Sequence, residues 1–251
     1  MAGFKQIGIV LHNLLIYCWT VIGTFIFGLT AILVSFFSTT GNSVHCVARM
    51  WGRSILWVSG IRTVTSGFRQ DMRQRSYIYM SNHQSNFDIP VLYSALPVQF
   101  RWLAKAELFK IPIFGRGMRG AGYISIDRSN RQSAFRSLAM AADAIRDGTS
   151  VMIFPEGTRS FDGLLLPYKK GGFVMAVDAG VPIVPVVIVG THAIMPKRRL
   201  LIRPQWVQVR VGAPIETSTF SRERKDDLMA QVRSAMLEMM PEAVQGGSRH
   251  G

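Results

Sequence analysis

His83 and Asp88 are the residues in this chain best suited to moving a proton. They lie in Ser81-Asn82-His83-Gln84-Ser85-Asn86-Phe87-Asp88, five positions apart. An imidazole takes and returns a proton near neutral pH, and a carboxylate accepting from one ring nitrogen leaves the other free as a base. On a continuous helix that spacing sets the side chains about 140° apart, so pairing requires a turn that folds the carboxylate back. The same residues also suit a plain helix start, with Asn86 or Asp88 as N-cap and Pro90 in the first turn. A second polar stretch, Phe154-Pro155-Glu156-Gly157-Thr158-Arg159-Ser160, follows the apolar run Val151-Met152-Ile153. Pro155 stops a strand, Gly157 lets backbone approach a ligand, Thr158 offers a hydroxyl, and Arg159 presents a planar fork suited to two phosphate oxygens. Glu156 is read as holding Arg159 or bonding a substrate hydroxyl. The plainer reading is a polar turn with a surface Glu–Arg pair.

Elements must position these groups, and their pattern is legible. From about Ile61 onward, short β-rich runs alternate with longer helical ones, which predicts an α/β domain with a mixed sheet flanked by helices. Strands are expected at 61–65, 77–80, 100–103, 123–126, 150–154, 183–189 and 207–211, and helices at 88–96, 105–110, 131–146, 171–179 and 222–240. Ser129 or Asn130 would cap the helix at 131 and Gly148 would end it. His83 then falls in a strand-to-helix turn, where polar side chains can point into a cleft. Two prolines in Val181-Pro182-Ile183-Val184-Pro185-Val186 suggest an edge strand or a bulge beside a cleft. A buried strand closing the sheet is the plainer alternative.

Ahead of this domain the chain is apolar from Ile7 to Phe37, with His12 and Asn13 among the few interruptions. Leu14 to Phe37 exceeds the roughly 20 residues that cross a bilayer core. Val44 to Ile61 interleaves Trp51, Ile55, Leu56, Trp57 and Val58 with Arg49 and Arg53, as an interfacial amphipathic helix would. A membrane-associated helix, or a two-helix motif dipping into one leaflet, both fit; an ordinary packing helix of the domain is the plainer reading of 44–61.

The 251 residues carry 29 Lys and Arg against 15 Asp and Glu, a formal charge of +14, which implies an anionic partner. A mean hydropathy of +0.20 in so basic a chain favours a membrane surface, and no zinc-finger, RRM or basic-zipper pattern supports nucleic acid. No His/Cys cluster has metal-ligand spacing, and phosphate-binding and dinucleotide glycine fingerprints are absent. Cys18 and Cys46 form no disulfide pattern.

Taken together, the His83 and Glu156 stretches resemble the glycerolipid acyltransferases, and most closely the 1-acylglycerol-3-phosphate (lysophosphatidic acid) acyltransferases. Gly122-Tyr123-Ile124-Ser125-Ile126-Asp127-Arg128 and the Val-Pro-Ile-Val-Pro-Val stretch fit in the right order, so the resemblance covers roughly residues 60–215. It implies transfer of a fatty acyl group from acyl-CoA or acyl carrier protein to the sn-2 hydroxyl of lysophosphatidic acid, giving phosphatidic acid. His83 would be the general base and Asp88 its orienting group, with no covalent enzyme intermediate and no cofactor or metal. The acceptor phosphate would meet Arg159 and the backbone near Gly157 and Thr158, with Arg128 as a second anchor and Lys105 as a further candidate. Other lysolipid acceptors, or a membrane-bound thioesterase or lipid hydrolase using the same His to activate water, remain alternatives. The expected organisation is a membrane anchor over 1–60, a catalytic domain over 61–241 and a disordered tail over 242–251. The expected site is a bacterial inner (cytoplasmic) membrane, its lipids being partners, with the basic residues after the apolar segment placing the domain on the cytoplasmic side.

Overall fold

The computed structural model describes residues 2–127 and 130–242, without the side chains of residues 2–5, 131, 134 and 135. Arg128 and all but the first residue of the expected tail therefore lie outside the described residues.

Two helices lead the chain, α1 (Ala2–Ser35) and α2 (Asn42–Val58). The α/β part follows as β1 (Arg62–Ser66), β2 (Ile78–Ser81), α3 (Asp88–Ala95), β3 (Arg101–Lys105), α4 (Phe114–Gly120), β4 (Ile124–Ile126), α5 (Arg131–Arg146), β5 (Val151–Ile153), α6 (Gly171–Ala179), β6 (Ile183–Val189), α7 (Thr191–Ile194), β7 (Trp206–Val211) and α8 (Lys225–Glu238). The seven strands form one sheet in the order β1-β7-β6-β2-β5-β3-β4. All neighbours are parallel except β6 and β7, so the sheet is mixed, as expected.

Each expected strand is present, with ends moved by at most two residues. The segment read as a helix at 105–110 is a 3-10 turn, Ala106–Lys110, and α4, α7 and the 3-10 turn Gln70–Arg73 were not anticipated. Asn130 caps α5, its Oδ1 accepting from the backbone N–H groups of Gln132 and Ser133.

The strands bury both faces. Tyr79, Met152 and Val184 join a core with Ile55 and Leu56 of α2 and Val91 and Leu92 of α3. Ile78, Met80, Val151 and Ile183 join a second core with Ala141 and Ile145 of α5, Phe173 of α6 and Val232 of α8. Parallel sheets are covered this way because crossover helices fall on both sides. β6 is correspondingly buried and internal, between β2 and β7, which agrees with the plainer buried-strand reading and rules out the edge position suggested by Pro185. The missing N–H falls one residue before the ladder with β7 begins at Val186, and the Pro185 carbonyl accepts from the Gly212 N–H at 2.8 Å.

α1 does not stand away from the domain. One face, through Asn13, Ile16, Trp19, Gly23, Thr24, Phe27 and Ala31, turns inward at three- and four-residue spacing. Trp19 Nε1 donates to Ser54 Oγ and Trp51 Nε1 to Thr24 Oγ1, locking α1 against α2. The opposite face exposes Val21, Phe25, Leu29 and Leu33.

Candidate active site

β2 and β5 are adjacent parallel strands in register at Met80 and Ile153, so their C-terminal ends deliver His83 and Phe154 to the same place. Crevices beyond the carboxyl ends of such strands are where open α/β sheets bind ligands. Asn82 pegs the first loop: its amide donates to Ile188 O and accepts from Ile188 N–H, at 2.9 and 2.7 Å, extending the sheet bonding by one side chain.

The turn that pairing requires is present. Asp88, fully buried, opens α3 and folds back, its Oδ2 2.8 Å from His83 Nδ1. The same oxygen accepts from the backbone N–H groups of Gln84 and Ser85 at 2.7 and 2.9 Å. Asp88 thus organises the loop as well as the ring, and it sits where the α3 dipole favours a negative charge. His83 stacks flat on Phe154, ring centroids 3.9 Å apart and planes within 7°. Among the described residues its Nε2 has no hydrogen-bond partner, and 16% of the side chain is exposed. Ser85 Oγ is buried and donates to Met195 O at 2.9 Å, a loop tie that leaves it no path to a reacting carbon.

Glu156 pairs with neither Arg159 nor the surface. Its Oε1 accepts from His83 N–H at 2.9 Å and its Oε2 from Leu166 N–H at 3.0 Å, so it clamps the His83 loop to the segment after β5. Burial pushes its carboxyl up to about 7, against the pull of the two backbone donors. Ser160 N–H adds a second tie to His83 O at 2.8 Å.

His83, Phe154, Pro155 and Gly157 line a cavity of about 620 Å³. Most of the rest of its wall is apolar, with Phe27, Ala48, Trp51, Met118 and Trp102 among the side chains. Tyr93 and Tyr123 also line it and hydrogen-bond each other through their hydroxyls at 2.5 Å. Burial raises the pKa of both phenols, which stay protonated. Lys105 and Lys169 are the cations on the wall. Gly157 adopts φ 71°, a left-handed conformation that favours glycine, and lines the cavity with His83. Arg159 is half-buried and Thr158 exposed, and neither lines the cavity.

Lys197 is a residue that sequence reasoning did not single out. Its Nζ donates to Arg159 O at 2.8 Å and to Thr158 Oγ1 at 3.1 Å, gripping that turn from across the fold. Only its place in the run Pro196-Lys197-Arg198-Arg199 marked it in the sequence. Asn82 was equally silent, since an asparagine beside a histidine gives no hint of its strand partner. Among the described residues no cluster of three metal-binding side chains occurs.

The acyltransferase family matches residues 58–189, which is 132 of the 251 residues and contains the loops just described. The chain is 34% identical over 193 residues to a 1-acyl-sn-glycerol-3-phosphate acyltransferase of Cocos nucifera, covering 76% of this chain and 62% of that protein. It is 34% identical over 207 residues to the Haemophilus influenzae protein of the same description, covering 80% of this chain and 83% of that one. The crystal structure of the 1-acyl-sn-glycerophosphate (LPA) acyltransferase from Thermotoga maritima superposes with a TM-score of 0.78 at 28% identity, over 97% of this chain and 95% of that one. The chain thus spans under two thirds of the coconut relative but most of the bacterial ones. With the fold, the two loops and the family match agreeing, the chain belongs to the acyltransferase family.

Proposed function

We propose that this protein is a membrane-associated 1-acylglycerol-3-phosphate acyltransferase, transferring a fatty acyl group from acyl-CoA or acyl carrier protein to the sn-2 hydroxyl of lysophosphatidic acid. The observation that carries it is the His83–Asp88 pair bordering a largely apolar cavity of about 620 Å³, a proton acceptor beside a space suited to a hydrocarbon chain. With Nδ1 held by Asp88, Nε2 takes the proton of the acceptor hydroxyl as its oxygen attacks the thioester carbonyl. The new C–O bond forms, the tetrahedral oxyanion collapses, the C–S bond breaks, and the proton returns from Nε2 to the leaving thiolate. Asp88 stabilises the imidazolium between those two moments. Neither cysteine lines the cavity and Ser85 is tied to Met195, which supports direct attack with no covalent enzyme intermediate. The acceptor phosphate is assigned to Arg159 and the turn at Gly157 and Thr158, with Lys105 at the cavity wall; Glu156 acts from beneath by holding the His83 backbone. No cofactor or metal enters these steps.

The membrane reading follows from how α1 is held. Gln6–Ser35 is long and apolar enough to cross a bilayer, being 30 residues. Set upright, however, it would pull α2 and the tethered segment near Ile202 into hydrocarbon, because His12 and Asn13 bond the backbones of Val58 and Ile202. Polar groups buried there without water are strongly unfavourable. Lying in one leaflet, α1 buries its exposed face while its inner face keeps the domain. The positive residues that follow favour the cytoplasmic face of a bacterial inner membrane.

The test is acyl transfer by purified protein in mixed micelles with labelled acyl-CoA and 1-acylglycerol-3-phosphate, following thioester loss and phosphatidic acid separately. Phosphatidic acid from wild type and none from His83→Ala is expected. Thioester loss without phosphatidic acid would overturn the acceptor, and unchanged turnover by His83→Ala would overturn the base.

A further inference from the structure

The segment between α7 and β7 carries four cations and two leucines in Lys197-Arg198-Arg199-Leu200-Leu201-Ile202-Arg203. Its apolar side chains do not fold inward. Leu200 is 76% exposed, Leu201 43%, and neighbouring Phe161 54%, whereas Ile202 alone is buried, at 2%. The segment is nevertheless firmly held. Asn13 of α1 accepts from Ile202 N–H at 2.7 Å and donates to Ile202 O at 3.1 Å, a two-point bond that copies a strand pairing. Tyr17 OH donates to Leu200 O at 2.5 Å. These bonds tie the segment to α1, whose Val10 and Leu14, next to Asn13 on the helix, are exposed as well.

The charges are as one-sided as the apolar groups. No Asp or Glu occurs between Asp178 and Glu216, and among the described residues none of Lys197, Arg198, Arg199 and Arg203 has a carboxylate partner. Lys197 and Arg198 instead lie over the Phe161 ring, 4.0 and 5.3 Å from its centroid. Arg198 holds a left-handed backbone at φ 66°, a strained geometry for a long side chain that keeps it on that ring.

We infer that Lys197–Arg203, together with Phe161, is a second membrane contact, one that selects a leaflet rich in anionic lipid. The inference rests on the membrane association proposed above and deepens it. Leu200, Leu201 and Phe161 enter the headgroup and acyl boundary while the cations meet lipid phosphates, the arrangement that interfacial elements adopt. An acidic protein would answer the charges but not the exposed leucines on a segment tethered to α1. The contact also reaches the site, because Lys197 holds the Thr158–Arg159 turn.

The experiment measures partition of the full chain into vesicles of phosphatidylcholine alone and of phosphatidylcholine with phosphatidylglycerol, by flotation at low and high salt. Wild type should favour the anionic vesicles, and salt should erase the preference. Arg198→Ala with Arg199→Ala should weaken anionic partition by about thirtyfold, at about fivefold per cation. The same variant should leave neutral partition and micellar turnover as in wild type, which also reports an intact fold. Leu200→Ser with Leu201→Ser should weaken both partitions, by at least about tenfold. If wild type binds both vesicle types equally, or the arginine variant keeps the preference, the inference fails while α1 anchoring stands. If wild type binds neither, the membrane reading and the inference fall together.

Discussion

Replacing Asp88 by Asn separates the charge of this carboxylate from its shape. Asp88 Oδ2 receives three donors, His83 Nδ1 and the backbone N–H groups of Gln84 and Ser85. An amide oxygen in the same place can still accept from the backbone, so the loop should keep its course. What is lost is the anion beside a ring that becomes positive as the acceptor hydroxyl is deprotonated. With Nδ1 and Oδ2 2.8 Å apart, the charge centres lie roughly 4 Å apart, where unit charges at an effective dielectric of 20 attract by about 4 kcal/mol. The surviving hydrogen bond returns part of that, leaving roughly 3–4 kcal/mol and a kcat lower by roughly 10²–10³. Stability should fall less, because the new NH₂ takes the place of Oδ1, a buried atom without a partner, and an unmet donor there is unfavourable by about 1–3 kcal/mol. Acyl transfer at saturating acceptor, beside a thermal melt by circular dichroism, reads both. A folded variant with kcat within tenfold of wild type would refute the charge role of Asp88.

Further outcomes test other parts of the site. Glu156 is raised from 4.5 to about 7 by burial, so folding favours its protonated form. Its contribution to stability is fully present below about pH 4.5 and is lost as pH rises through 7. The Tm of wild type relative to Glu156→Gln should therefore fall between those values, and a pH-independent difference would contradict the shift. Arg159→Ala should raise the apparent acceptor KM more than that of the donor; equal effects in steady-state kinetics would argue against a phosphate role. Lys197→Ala should move the acceptor KM in the same direction by loosening that turn, whereas an unchanged KM would make the tether incidental. Ala48→Phe, filling the cavity wall, should shift kcat/KM toward shorter acyl donors by about fourfold per methylene excluded; an unaltered chain-length profile would remove the cavity from acyl binding.

Much of this was written in local pattern. Apolar runs bounded by prolines, glycines and caps predicted the seven strands and the two longest domain helices, because both backbone period and turn chemistry are short-range properties. His83, Asp88 and the Glu156–Ser160 stretch were visible for the same reason, each being a compact group of reactive types. Tertiary structure decided what those groups do to one another. Glu156 looked like a partner for Arg159, a separation of three positions being all there was to judge by, yet the parallel pairing of β2 with β5 puts the His83 backbone nearer. Pro185 looked like an edge residue because a missing donor is a local fact, while the point where β7 begins its ladder is not. Asn13 read as an interruption and Lys197 drew no reading of its own; their partners lie 189 and 38 positions away. The types of residue able to do the chemistry were determined by the sequence alone. Which hydrogen bonds hold them, where the acyl-sized cavity lies, and how α1 meets the domain were decided by contacts between distant segments, which local pattern cannot encode.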